Sequence, residues 1–325
     1  MSGEILRKSF VHFKQLRSLQ LSNAVSLSDF NLWEVLGTLP SLKNLTLEAN
    51  DPESHPAHAP EKSNSQSGLR YFGALESLQV TGSFFLIQHL LGFIDSPCLK
   101  SIKVYPLIDL VHYDLEREHE LGDFLIPSMT IVATKWSQTL TDLTISSNTM
   151  AKADGFTHRN QKLLTLLTNL CEIRKFCLLG WTMENNDDAV GHLAKSWPKL
   201  RYLALGVLRQ PFHQSFVSLS TLRIISDNCP ELHYLHIPLD ISTIPPFDDF
   251  SNKESPRHNL EVLDLDGPGG VHPIDLTKLE CQILVARNLD FIFPYLKTIH
   301  VQNASWSGIR DLVNLCQDVK RLRGQ

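Results

Sequence analysis

Trp197-Pro198-Lys199-Leu200-Arg201-Tyr202-Leu203-Ala204-Leu205 decides how this chain is read. After the Trp-Pro corner, leucines hold the first, fourth and sixth places of a short phrase: Leu200, Leu203 and Leu205. The same pattern occurs ten times. The earlier copies are Leu16-Leu19-Leu21, Leu42-Leu45-Leu47, Leu75-Leu78-Val80, Leu99-Ile102-Val104, Leu140-Leu143-Ile145 and Ile173-Phe176-Leu178. The later ones are Leu232-Leu235-Ile237, Leu260-Leu263-Leu265 and Leu296-Ile299-Val301.

Successive phrases start 24 to 41 residues apart, the period of a leucine-rich repeat with insertions in its longer units. Each phrase fits a short strand. Side chains alternate along a strand, so the fourth and sixth places point one way and the third, fifth and seventh the other. A single repeat cannot bury its apolar face alone; stacked repeats can. Five repeats place a proline two residues before the phrase, at Pro40, Pro97, Pro198, Pro230 and Pro294. Proline disfavours helix at the residue before it and has no amide proton to donate, so it ends a helix and launches a strand.

Helical patterns fill the intervals: Phe30 to Gly37 behind Ser28 and Asp29, 84–95, 157–170, a segment opened by Asp187-Asp188, Phe216 to Ile225, and Leu284 to Phe291. The expected fold is therefore α/β: one leucine-rich-repeat solenoid, a horseshoe of about ten strand–helix repeats with a parallel concave sheet and convex helices. It is expected to span 1–325, with repeats over 16–304. Ile5, Leu6, Phe10 and Phe13 suggest an N-terminal helical cap over 1–15. Ile309, Leu312, Val313, Cys316 and Val319 suggest a closing helix over 305–325, with Lys320, Arg321 and Arg323 near its end. Residues 50–68, rich in Pro, Ser and His, are expected to be disordered. A second, more ordered loop is expected over Pro238–Asn259, and a partly helical insertion over 106–135.

The 325 residues are 42% hydrophobic and 20% charged, with a formal net charge of −5. That balance is ordinary for a folded domain and argues against a nucleic-acid backbone as ligand. No apolar run has the length of a signal peptide or a membrane span. The expectation is an intracellular protein, cytoplasmic or nuclear, without a membrane partner. The six cysteines are then expected to be reduced thiols, with Cys98, Cys171 and Cys229 as small buried residues at repeat corners.

Catalytic signatures are missing from the sequence: it has no HExxH, paired CxxC, P-loop or GxSxG. Asp266-Gly267-Pro268-Gly269-Gly270 lacks phosphate-loop spacing and suggests a turn. Asp187-Asp188 suggests helix capping. The chain is expected to be no enzyme and to hold no cofactor or metal.

The outward letters carry more information. They are small and polar in the first half of the sheet and mixed aromatic, apolar and acidic in the second, with the best contact surface expected on repeats seven to ten. Tyrosine suits protein interfaces, because it offers area and a polar tip at small entropic cost. The candidate partner-binding residues on the concave face are Tyr105, Tyr202, Tyr234, His236, Asp264, Asp266 and His300.

The chain also resembles the leucine-rich-repeat region of F-box proteins from mushroom-forming fungi. The resemblance is carried by the 197–205 phrase, by Leu235-His236-Ile237-Pro238-Leu239-Asp240, by Leu260-Glu261-Val262-Leu263-Asp264-Leu265, and by Ile292-Phe293-Pro294-Tyr295-Leu296-Lys297-Thr298-Ile299. It implies a substrate receptor of a cullin-type ubiquitin ligase, in which an N-terminal F-box holds the adaptor and the repeats hold a protein for ubiquitination. Residues 1–15 are shorter than an F-box and lack its Leu-Pro opening, so an adaptor contact is expected only if an F-box lies upstream. The reading from another class is a leucine-rich-repeat regulator or inhibitor that caps a partner enzyme.

Overall fold

The computed structural model describes residues 13–22, 30–49, 71–107, 118–146, 163–180, 187–206, 217–241, 244, 258–266, 278–301 and 306–323. The chain divides into two compact units, Met1–Thr149 and Met150–Gln325.

The first unit runs β1 (Ser18–Ser22), α1 (Phe30–Gly37), β2 (Asn44–Glu48), β3 (Ser77–Gly82), α2 (Phe84–Phe93), β4 (Ser101–Pro106), α3 (Glu118–Lys135) and β5 (Asp142–Ser146). Its strands pair in chain order, all parallel. The second unit runs β6 (Lys175–Leu179), α4 (Asp187–Ser196), β7 (Tyr202–Gly206), β8 (Val217–Ser218), α5 (Leu219–Asn228), β9 (Tyr234–Asp240), β10 (Val262–Asp266), α6 (Leu279–Ile292), β11 (Thr298–Val301) and α7 (Ser307–Arg323). Here the order is β6-β7-β9-β10-β11, again parallel, with the two-residue β8 beside the end of β9.

Register follows the phrase letter for letter. Leu45 lies opposite Leu78, and Leu47 opposite Val80; Leu203 lies opposite Leu235, and Leu263 opposite Ile299. A one-residue slip would turn every apolar letter outward. From β2 through β10 the fourth- and sixth-place side chains are buried, each worth roughly 1.5–3 kcal/mol against exposure. Each unit is a leucine-rich-repeat ladder. At β1, Leu19 and Leu21 are only half buried and Phe13 is exposed. The rest of the N-terminal cap read from the sequence lies outside the described residues, as do the 50–68 segment and residues 267–277.

The repeat corner is a β-turn. The amide of the first-place residue donates to the carbonyl three residues earlier: Leu42 to Leu39, Leu200 to Trp197, Leu232 to Cys229 and Leu296 to Phe293, at 3.0 to 3.5 Å. Proline takes the second turn position, where its fixed φ is already correct. The residue before it fills a buried slot, held in turn by Leu39, Ser96, Trp197, Cys229 and Phe293. Phe72 fills the same slot ahead of Gly73, at φ 61°, a backbone conformation uncommon for a bulky residue.

This corrects the cysteine expectation. Cys229 occupies the slot, donating to the carbonyls of Ala194 and Trp197 at 3.4 and 3.6 Å, and burial pushes its thiol up to about 12. Cys98 sits one residue beyond the proline and is exposed, and Cys171 is intermediate. In the Cys98 repeat the slot belongs to Ser96, whose hydroxyl donates to the Leu75 carbonyl at 2.6 Å while its own carbonyl accepts from Trp136 Nε1 at 2.7 Å.

Local chemistry explains several other boundaries. Ser83 caps α2 by accepting from the Leu86 amide. At the other end of α2, Lys135 Nζ donates to the carbonyls of Leu91, Gly92 and Ile94; burial lowers its pKa. Asp187, in the first turn of α4 beside Asp188, accepts from the Ser218 amide at 2.9 Å, where α5 begins. The segment read as a helix from Phe216 begins as β8, because Val217 and Ser218 pair with Leu239 and Asp240. β9 consequently runs through Pro238 to Asp240, and the loop read from Pro238 starts later. α6 starts at Leu279, five residues before the expected Leu284. Among the described residues, no helix is long and apolar enough to cross a membrane.

Candidate functional site

In the second unit, parallel register turns the outward letters into rows. The third-place row is Lys175, Tyr202, Tyr234, Val262 and Thr298; the fifth-place row is Cys177, Ala204, His236, Asp264 and His300. Neighbouring strands lie about 4.8 Å apart, which is a stacking distance for aromatic rings in the same row. Tyr202 and Tyr234 stack with centroids 4.2 Å apart and planes 4° from parallel. Such a pair adds about 0.5–1.5 kcal/mol beyond its buried area. On the far side of Tyr202, the Lys175 ammonium lies 4.7 Å from the ring centroid, within the range of a cation–π contact.

Tyr234 also reaches into the fifth-place row. Its hydroxyl donates to Asp264 Oδ2 at 3.2 Å. Burial pushes the phenol well above its ordinary range, and the neighbouring Tyr202 and Asp264 push it the same way. Burial raises the Tyr202 phenol too. Both hydroxyls therefore stay protonated and serve as donors near neutral pH. His236 Nδ1 lies 3.9 Å from the same Asp264 oxygen, beyond hydrogen-bond length. The His236 ring is held from below by Gly206: a β-carbon there would lie 3.1 Å from His236 Cε1 and 3.0 Å from Leu179 Cδ2. Only glycine lets the imidazole lie across β7 without displacement.

Four of the seven residues chosen from the sequence thus come together: Tyr202, Tyr234, His236 and Asp264. His300 stands in register beside Asp264 and is exposed. Asp266 ends β10 opposite Pro238; its side chain lies outside the described residues. Tyr105 is half buried on β4, opposite Thr81, and belongs to the first unit. Lys175 was missed. Aligning the ten phrases puts it one row-step from Tyr202, and that alignment was the signal for it.

Among the described residues of the cluster, the Asp264 carboxylate accepts from the Tyr234 phenol. Among the described residues, no group of three or more His, Cys, Asp or Glu could hold a metal ion.

No protein-family model matches the chain, and no curated protein matches it. Among solved structures, a leucine-rich-repeat protein from Leptospira interrogans aligns over 89% of this chain and 90% of that one, at 12% identity and a TM-score of 0.24. A likeness that low carries no weight; the repeat fold rests on the strand registers.

Proposed function

We propose that the protein is a non-catalytic protein-recognition scaffold that holds a protein ligand on the outward sheet face of its second unit. The observation that carries this reading is the stacked Tyr202–Tyr234 pair tied to Asp264. It is a rigid aromatic surface with polar tips, mounted on strands rather than loops, and residues of this kind dominate binding energy at protein interfaces. The resemblance to F-box proteins refines the reading: the ligand is then a substrate presented for ubiquitination. The regulator reading makes the ligand an enzyme whose active site is covered.

Affinity capture from cells with wild type and with Tyr234→Ala and Asp264→Ala variants tests the proposal. Recovery of a stoichiometric protein by wild type, and its loss with either variant, is expected. Cullin-ligase subunits in the eluate favour the receptor reading, and a stoichiometric enzyme without them favours the regulator reading. Equal recovery by wild type and both variants overturns the placement.

A further inference from the structure

In the second unit, three ion pairs bridge the starts of successive strands. Lys199 meets Glu172 at 2.7 Å, Arg201 meets Glu231 at 2.8 Å, and Lys297 meets Glu261 at 2.7 Å. On the third- and fifth-place rows of the second unit, Lys175 and Asp264 stand outside these pairs. Lys175 rests on the Tyr202 ring and meets no carboxylate among the described residues. Asp264 receives the Tyr234 phenol and has no lysine or arginine partner among them. The two stand at opposite ends of one aromatic stack. From β6 to β10 is three strand steps, about 14 Å at ordinary sheet spacing.

Resting on the reading of this face as a protein-binding surface, we propose that its occupant is a polypeptide segment lying across the strands, with a Lys or Arg side chain placed on Asp264 and an Asp or Glu side chain on Lys175. The tyrosine pair takes apolar area between them. Charge complementarity argues for this occupant: a uniformly acidic or uniformly basic segment would satisfy one end and be repelled at the other. The phenol–carboxylate bond holds Asp264 in place before the ligand arrives, so less ordering accompanies binding. The 14 Å span corresponds to about four residues of extended chain or nine to ten of helix.

The test is a display library of random dodecapeptides panned against the immobilised full chain and its Asp264→Asn, Lys175→Gln and Tyr234→Ala variants, with each variant's melting curve checked against wild type. Peptides selected on wild type are expected to carry both a basic and an acidic residue. The basic bias should vanish on Asp264→Asn and the acidic bias on Lys175→Gln. Wild-type-selected peptides should lose at least about tenfold in affinity for either charge variant, as for truncated interfacial charge pairs. If peptides bind wild type and fail on Tyr234→Ala, yet their charge composition is the same on the charge variants, the charge assignment is overturned and the binding surface stands. If no peptide distinguishes wild type from Tyr234→Ala, both fall.

Discussion

Along the third-place row of the first unit stand Ser18, Asn44, Ser77, Ser101 and Asp142. Along the same row of the second stand Lys175, Tyr202, Tyr234, Val262 and Thr298. Beneath both rows the apolar letters are alike and, from β2 through β10, buried. The first row is made of short polar groups, and Asn44 donates to Ser18 Oγ at 3.0 Å. The second carries an aromatic stack with Lys175 on one side, and Tyr234 reaches from it to Asp264 in the neighbouring row. The letters the two units share are the buried ones, and the proposed recognition surface is built from letters they do not share.

The largest effect tests the shared part. Leu78→Asp in the first unit and Leu263→Asp in the second each place an unpaired charge in a fully buried site, and each should cost about 4 kcal/mol or more. Denaturant unfolding with a wild-type midpoint in either variant would break the common register.

The repeat corner is the next place to sharpen the comparison. Ser96→Ala removes the buried bond to the Leu75 carbonyl and should cost about 1–3 kcal/mol. Cys98→Ala, two residues on and exposed, should shift the midpoint by less than about 0.5 kcal/mol. A reversed ranking would return the slot to the cysteine.

A pH dependence belongs to the second unit. His258 is buried; its Nδ1 accepts from the Leu260 amide at 3.1 Å, and its Nε2 lies 2.8 Å from the Cys229 carbonyl. That arrangement fixes the neutral Nε2–H tautomer, and burial lowers the pKa. The unfolded chain then takes up its proton first as pH falls, so this contribution is complete above about 6.5, the ordinary histidine value, and is lost as pH drops below it. Midpoints measured from pH 7.5 to 5 should decline in wild type and decline less in His258→Gln. Parallel curves would contradict the buried neutral histidine.

Tyr234→Phe should have a small effect on stability, about 0.5–1.5 kcal/mol for the lost bond to Asp264, and Asn44→Ala in the first unit less still. Equal effects would erase the difference between the rows.

Most of the ladder was legible because strand alternation has a period of two and the apolar letters obey it ten times. Val217–Ser218 was not, because two residues are too few to show a period and its partner Leu239–Asp240 follows a proline that reads as a breaker. Cys98 was misplaced because proximity to the phrase was weighed without the turn hydrogen bond, which singles out the residue before proline. In the candidate site, Tyr202 and Tyr234 were legible from matching places in their phrases. Lys175 was not, since a lysine on an exposed row looks like a solvated charge until the ring beside it is placed.

The most direct test of the central claim is equilibrium binding of the captured ligand to variants of the two faces. Tyr234→Ala and Asp264→Ala should each weaken binding at least about tenfold, while Thr46→Ala and Gln79→Ala on the first unit should bind as wild type does. Unchanged affinity in the second-unit variants, or loss in the first-unit ones, would contradict the assignment of recognition to the aromatic row.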